Sequence, residues 1–163
     1  MDIPSNTLLQ DSLGTAYFKD CHTKTIPYSG ESAFDIYSQI AQKTPAWVIR
    51  LMALRNWTVS KLGLKHLGQM NEFDHEKTRE DFKPGDTIGI FKVVANLEHE
   101  IVMEDRDKHL DVRLSFLIEP KGEQAIIHAT TVVHVHNIWG KIYMFFVAPV
   151  HKVIVPSSLK QLA

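Results

Sequence analysis

Apolar residues alternate without a break along "HLDVRLSFLIE" (109–119): Leu110, Val112, Leu114, Phe116 and Ile118 fall on one side, and Asp111, Arg113 and Ser115 on the other. Strict alternation predicts a half-buried strand. "TIGIFKVVA" (87–95), "EHEIVME" (98–104) and "QAIIHATTVVHVH" (124–136) read as strands too, each set off by turn-like residues, and "TAYFKDCHTKTI" (15–26) reads as a first strand upstream. Between the first strand and this meander the period changes. In "GESAFDIYSQIAQKT" (30–44) Ser32 is a helix N-cap, and Phe34, Tyr37, Ile40 and Ala41 share one helical face. "TPAWVIRLMALRNWTVSKLG" (44–63) predicts a second helix, with Thr44 as N-cap, Pro45 at the first helical position and Gly63 as the stop. Its expected buried stripe is Trp47, Leu51 and Leu54, with Val48, Met52 and Val59 beside it. The chain ends in "NIWGKIYMFFVAPVHKVIVPSSLKQLA", which predicts a long helix over 138–162, capped by Asn137 and kinked near Pro149. That helix is apolar on almost every side, which predicts burial all round, against the sheet.

Two hairpins fix an expected register. Closing the first on "DRDK" (105–108) sets Met103 opposite Leu110, Ile101 opposite Val112 and His99 opposite Leu114. Turning the second at Lys121-Gly122 sets Phe116 opposite Ile127, Leu114 opposite Ala129, Val112 opposite Thr131 and Leu110 opposite Val133. Every large aliphatic then lies on one face, and a one-residue slip would scatter them. The other face carries the rows Glu104–His109–His134, Val102–Asp111–Val132 and Glu100–Arg113–Thr130, with Arg113 and Glu100 as a cross-strand ion pair. This polar face is expected to meet water. Glu104, His109, His134 and His136 could otherwise converge on zinc, but an exposed flat face makes a poor metal cage, and no metal is expected.

Composition narrows the picture. The chain has 163 residues, a net charge of -1 with neutral histidines, and one cysteine. It predicts one domain over 1–163 with a flexible stretch at 1–14, no nucleic-acid footprint and no disulfide framework. "MDIPSNTLLQDSLG" lacks the basic and apolar regions of a secretion signal, so a cytoplasmic setting is expected. "IWGKIYMFFVAPVHKVIV" (138–155) has about the length of a membrane span, but with Lys141, His151, Lys152 and Pro149 it reads as a core helix rather than a transmembrane segment. "NEFDHEKTREDFKPGD" (71–86) is a charged loop and the best candidate for a mobile flap. No nucleophile elbow or phosphate-binding glycine loop occurs, and Cys21 has no reactive signature around it. No cofactor is expected.

The α+β order of strand, two helices, antiparallel meander and long terminal helix resembles the helix-grip architecture of START-like and polyketide-cyclase-like proteins, a curved sheet wrapped around its C-terminal helix. More narrowly, the chain resembles the bacterial family called domain of unknown function 2867. The resemblance rests on "KLGLK" after the second helix, on "DKHLDVRLSF", and on "VHVHNIWGKIYMFFVAPVHKVIV" with Gly140, Tyr143, Pro149 and His151, and it spans residue 15 to the end. Some members carry this domain behind a nucleotide-binding dehydrogenase-like domain, of which this sequence shows none. The resemblance implies an apolar ligand between sheet and terminal helix but brings no catalytic residue, and fold alone does not assign function. The expected cavity is lined by Ile101, Val112, Leu114, Ala129, Thr131, Tyr143 and Phe146, with His99 as polar anchor and His151 reaching in from the terminal helix. Three readings follow: a binding module for a small apolar or amphipathic molecule, a cyclase-, aromatase- or hydratase-like enzyme using the same space, or an interaction domain without ligand. A homodimer stays open.

Overall fold

In the computed structural model, which describes residues 2–61, 74 and 76–162, the alternating segments pair into one curved antiparallel sheet. Its strands are β1 (Phe18–Pro27), β2 (Thr87–Ile88), β3 (Phe91–Asn96), β4 (Glu100–Arg106), β5 (Leu110–Lys121) and β6 (Gln124–Val135), in the order β1-β6-β5-β4-β3-β2. A short helix, α1 (Gln10–Leu13), precedes β1; α2 (Ala33–Gln42) and α3 (Ala46–Ser60) follow it; α4 (Ile138–Leu159) follows β6. Helices α2 and α3 carry the chain from one sheet edge to the other, and the meander returns to close on β1. This is the helix-grip fold.

Local chemistry explains the helix starts. Ser32 Oγ accepts from the Asp35 amide at 3.2 Å while the Asp35 carboxylate accepts from the Ser32 amide at 2.9 Å, a reciprocal cap. Phe34, Tyr37, Ile40 and Ala41 then point inward, as expected, and pack with Ile101, Met103, Phe116, Ile127 and Leu159. Each large side chain so buried contributes roughly 1.5–3 kcal/mol. At α4, Asn137 Oδ1 accepts from the Gly140 amide at 3.2 Å. Gly63, the expected stop of α3, residues 71–73 and 75, and the Val59 side chain lie outside the described residues.

The sheet faces are as expected, but the cross-strand partners are displaced, by four residues between β4 and β5 and by two between β5 and β6. Met103 faces Leu114, Ile101 faces Phe116 and Asp105 faces Val112; Leu110 faces Val135, Val112 faces Val133, Leu114 faces Thr131 and Phe116 faces Ala129. "DRDK" does not close the first hairpin. Asp107 does, its carboxylate accepting the Lys108 amide at 2.6 Å and its amide reaching the Leu110 carbonyl at 3.0 Å, so Asp105 and Arg106 stay in the strand. In the second hairpin Gly122, at φ +67°, is the first central residue of a two-residue turn. Both shifts are even, which preserves every side chain's face. A third hairpin was hidden inside "TIGIFKVVA": Gly89, at φ +59°, turns β2 back onto β3.

The expected polar rows dissolve accordingly. Glu104 holds Arg113 and Arg106 at 3.2 and 3.1 Å, and Arg113 does not pair with Glu100. His109 sits in the β4–β5 turn with its Nδ1 beside the Asn137 amide group. His134 Nε2 contacts the Ser12 carbonyl and Thr15 Oγ1, and His136 pairs with Asp111 at 3.1 Å. Among the described residues no three His, Cys, Asp or Glu side chains are placed to hold a metal.

Much of the outer face does not meet water either. The N-terminal segment, expected to be flexible, lies on it. Leu9 packs on Val102 and Val132 with Leu13 and Ala16 alongside. Glu100 is buried and accepts from Thr7 Oγ1, Ser115 Oγ and the Leu8 amide at 2.5, 2.6 and 3.0 Å. A buried carboxylate is tolerated because it is ringed by donors. The charged stretch expected as a flap is likewise tied down from Thr78 onward. Asn96 Nδ2 donates to the carbonyls of Arg79 and Phe82, and the Phe82 ring stacks on Phe34 at 5.2 Å between centroids.

The two apolar helices depart furthest from expectation. Val48 and Asn56 form the buried side of α3, while Trp47, Leu54 and Trp57 face outward. On α4, Gly140, Met144 and Leu159 are buried, but Ile142, Phe145, Phe146 and Val153 are exposed. Burial of α4 on all sides required a partner on its outer side, and none of the described residues supplies one.

Candidate functional site: an apolar cavity under α3 and α4

The inner face of the sheet stops short of α4 over part of its length. A cavity of about 210 Å³ opens there. Leu110, Val112, Leu114, Phe116 and Val133 form its floor, Phe18 one wall, Val48 and Met52 of α3 another, and Tyr143, Met144 and Val147 of α4 the roof. The roof is set by the helix start. An added Cβ at Gly140 would lie 2.3 Å from the His109 carbonyl oxygen and 2.9 Å from Val135 Cγ1, so glycine lets the first turn of α4 press against the β4–β5 turn. Leu110, Val133 and Met144 then form a small core of their own, with Val112 and Tyr143 packed on it.

Two polar groups interrupt the apolar lining. One is His151, whose Nε2 lies 3.2 Å from Thr131 Oγ1 and whose ring meets Phe18 edge-on at 5.8 Å. Its Nδ1 is buried and has no hydrogen-bond partner among the described residues. Burial holds this imidazole below the ordinary histidine value of 6.5; the Asp20 carboxylate pulls against that and His22 adds to it. Asp20 is itself buried, with its carboxylate 2.8 Å from His22 Nε2. The other group joins Arg55, Tyr143 and Asp105. Arg55 Nε donates to Tyr143 Oη at 3.1 Å, its guanidinium carbon lies 5.6 Å from the Tyr143 ring centre, and Asp105 lines the same space. Cys21 offers no nucleophile: it is buried, its thiol is pushed up by desolvation, and its sulfur accepts from Thr130 Oγ1.

Of the expected lining, Val112, Leu114, Thr131, Tyr143 and His151 meet at the cavity. Ile101 and Ala129 are buried in the main core instead. Phe146 is on the outer face of α4, and His99 is exposed before β4, where its carbonyl accepts from the Ile118 amide at 2.7 Å. The two-residue displacement between β5 and β6 brings Thr131 opposite Leu114, and the four-residue displacement between β4 and β5 carries His99 off the end of the pairing. It also explains why Asp105 was missed, since a residue assigned to a turn is an inward strand residue. Arg55 was missed because the expected buried stripe was Trp47, Leu51 and Leu54, whereas the structure buries Val48 and Asn56, turns Trp47 and Leu54 outward and brings Arg55 to the cavity.

A protein-family model described as "Protein of unknown function (DUF2867)" matches residues 12–158. The chain belongs to this family. No curated protein matches. Among solved structures, a START superfamily protein from Mycobacterium smegmatis is 14% identical, with 88% of this chain and 99% of that one covered and a TM-score of 0.36. Norcoclaurine synthase from Thalictrum flavum, in complex with dopamine and hydroxybenzaldehyde, is 12% identical over 98% of this chain and 92% of that one, with a TM-score of 0.34. Likenesses this distant give this DUF2867 member neither a ligand nor a reaction.

The depressed pKa of His151 has a consequence that a melt can read. Below pH 6.5 the unfolded chain takes up a proton that the folded imidazole refuses, so stability falls as pH drops toward the folded value. His151→Phe should flatten that part of the stability–pH curve between pH 7 and 5. An unchanged slope in the variant would show that His151 is not held neutral.

Proposed function

We propose that this DUF2867 protein is a cytoplasmic binding module for a small, largely apolar molecule held in the cavity between sheet, α3 and α4. The observation that carries this reading is the unpartnered Nδ1 of His151 beside a largely apolar space. Buried polar groups are nearly always satisfied, and apolar pockets with a few convergent polar groups are the usual chemistry of small-molecule sites. Size narrows the class. Apolar cavities of about 150 Å³ accept benzene, so about 210 Å³ suits a substituted single ring or a short acyl chain, with a hydroxyl or carbonyl for His151. The test is calorimetric titration with a panel of substituted phenols, aryl ketones and short fatty acids. Binding should favour members carrying one hydrogen-bonding group, and His151→Leu should erase that preference while keeping the apolar members. No binding by any member would count against the reading.

A catalytic use of the same space has one observation in its favour: His151 and Asp105 both line it, and acid–base chemistry needs such a pair. It would be seen as conversion of a bound panel member, lost in Asp105→Asn.

A further inference from the structure

The outer surfaces of α3 and α4 have a composition that the cavity does not explain. On α4, Phe145 is 75% exposed, Phe146 68% and Trp139 61%, with Ile138, Ile142, Val150 and Val153 beside them; on α3, Trp57 is 59% exposed, alongside Leu54 and Trp47. Soluble monomers rarely expose contiguous apolar patches beyond a few hundred Å². The two helices are tied together through Arg55 and Tyr143, and both turn these side chains away from the cavity. Their charge is one-sided. Neither helix contains an Asp or Glu, whereas α3 carries Arg50 and Arg55 and α4 carries Lys141 and Lys152. Arg50, Lys141 and Lys152 are exposed, and no carboxylate among the described residues pairs with them. Lys61, just beyond α3, lies over the Trp57 ring at 4.0 Å.

We infer that the α3–α4 face docks on the surface of an anionic lipid bilayer, with α4 lying in the plane of the interface. Aromatic and aliphatic side chains on one face with lysine and arginine at its flanks are the pattern of interfacial helices, and tryptophan favours the headgroup level. Helix α4 has the length and composition to cross a bilayer, yet one side of it is committed to the sheet through Met144 and Leu159, which leaves the other side for the interface. A second copy of the chain fits less well. A two-fold dimer pairs the patch with itself and brings the same unneutralised cations together, whereas an anionic headgroup layer neutralises them. This surface does not depend on the cavity being occupied.

The test is flotation of the full chain with vesicles of phosphatidylcholine alone or of an equal mixture of phosphatidylcholine and phosphatidylglycerol, together with sedimentation velocity in the absence of lipid. The expected result is a monomer that floats with the mixed vesicles, floats at least about tenfold less with the neutral ones, and is released by salt. The double variant Phe145→Ser/Phe146→Ser should lose flotation. So should Lys141→Glu/Lys152→Glu, which keeps the apolar face but reverses the charge. All four positions are exposed, so melts of both variants should match the unmodified protein. Failure of the protein to float with either vesicle would overturn the inference. So would a stable dimer that Phe145→Ser/Phe146→Ser dissociates, which would assign the face to a second copy, or flotation unaffected by both double variants.

Discussion

Gly140→Ala is expected to destabilise the domain markedly, against the usual preference of a helix for alanine. Alanine gains about 1 kcal/mol over glycine in a helix interior. Here the added methyl would lie 2.3 Å from the His109 carbonyl oxygen. That oxygen cannot move freely, because it accepts the His136 amide at 2.9 Å and so closes the end of the β5–β6 pairing. Val135 Cγ1, at 2.9 Å, blocks the other side. Overpacking of this kind costs about 1–3 kcal/mol or more, and here the first turn of α4 must lift, taking Met144 off Leu110 and Val133. In a domain of this size each kcal/mol lowers the melting temperature by roughly 2–4 °C. Gly14→Ala is the control, since an added Cβ there meets nothing within 4 Å. Equal melting temperatures for the two variants would show that α4 does not start where the structure puts it.

The second large effect separates cavity from core. Ala129 is buried opposite Phe116 and His22 in the pairing and packs in the main core, so Ala129→Trp should overpack and cost several kcal/mol, on the order of the largest core insertions. Val112 lines the cavity and is only half-buried. Val112→Trp should therefore place its ring in open space, leave the melting temperature within a few degrees of the unmodified protein, and abolish uptake of the aromatic panel. A void of about 210 Å³ forgoes up to about 5 kcal/mol of packing at roughly 24 cal/mol per Å³, so a well-seated indole could even raise stability. If Val112→Trp and Ala129→Trp destabilise alike, the space under α4 is closed in solution.

Strand faces were legible because the side-chain period of two survives any even displacement: Leu110, Val112 and Leu114 point inward whether the first hairpin closes on "DRDK" or on Asp107. Partners were not legible, because polar residues at 105–108 signal a turn without saying which of them builds it. His99 was therefore misplaced, and Asp105 was overlooked. His151 was found because it interrupts an apolar helix opposite an apolar strand face. The outer face of α4 was read wrongly for a different reason. A helix apolar on every side says that burial is favourable, not what will bury each face, and in this structure the sheet reaches only one. The Glu100 network was unreadable for the same kind of reason. Thr7 lies 93 residues from it in sequence, and nothing in "MDIPSNTLLQDSLG" marks a segment that will cover a carboxylate.

Native mass spectrometry of the protein purified from its own host, set beside Val112→Trp purified in the same way, tests the central claim most directly. The cavity reading predicts a species heavier than the polypeptide by the mass of one small molecule in the unmodified protein, lost on denaturation and missing from Val112→Trp. A bare polypeptide mass in both, together with no binding across the aromatic and fatty-acid panel, would contradict it.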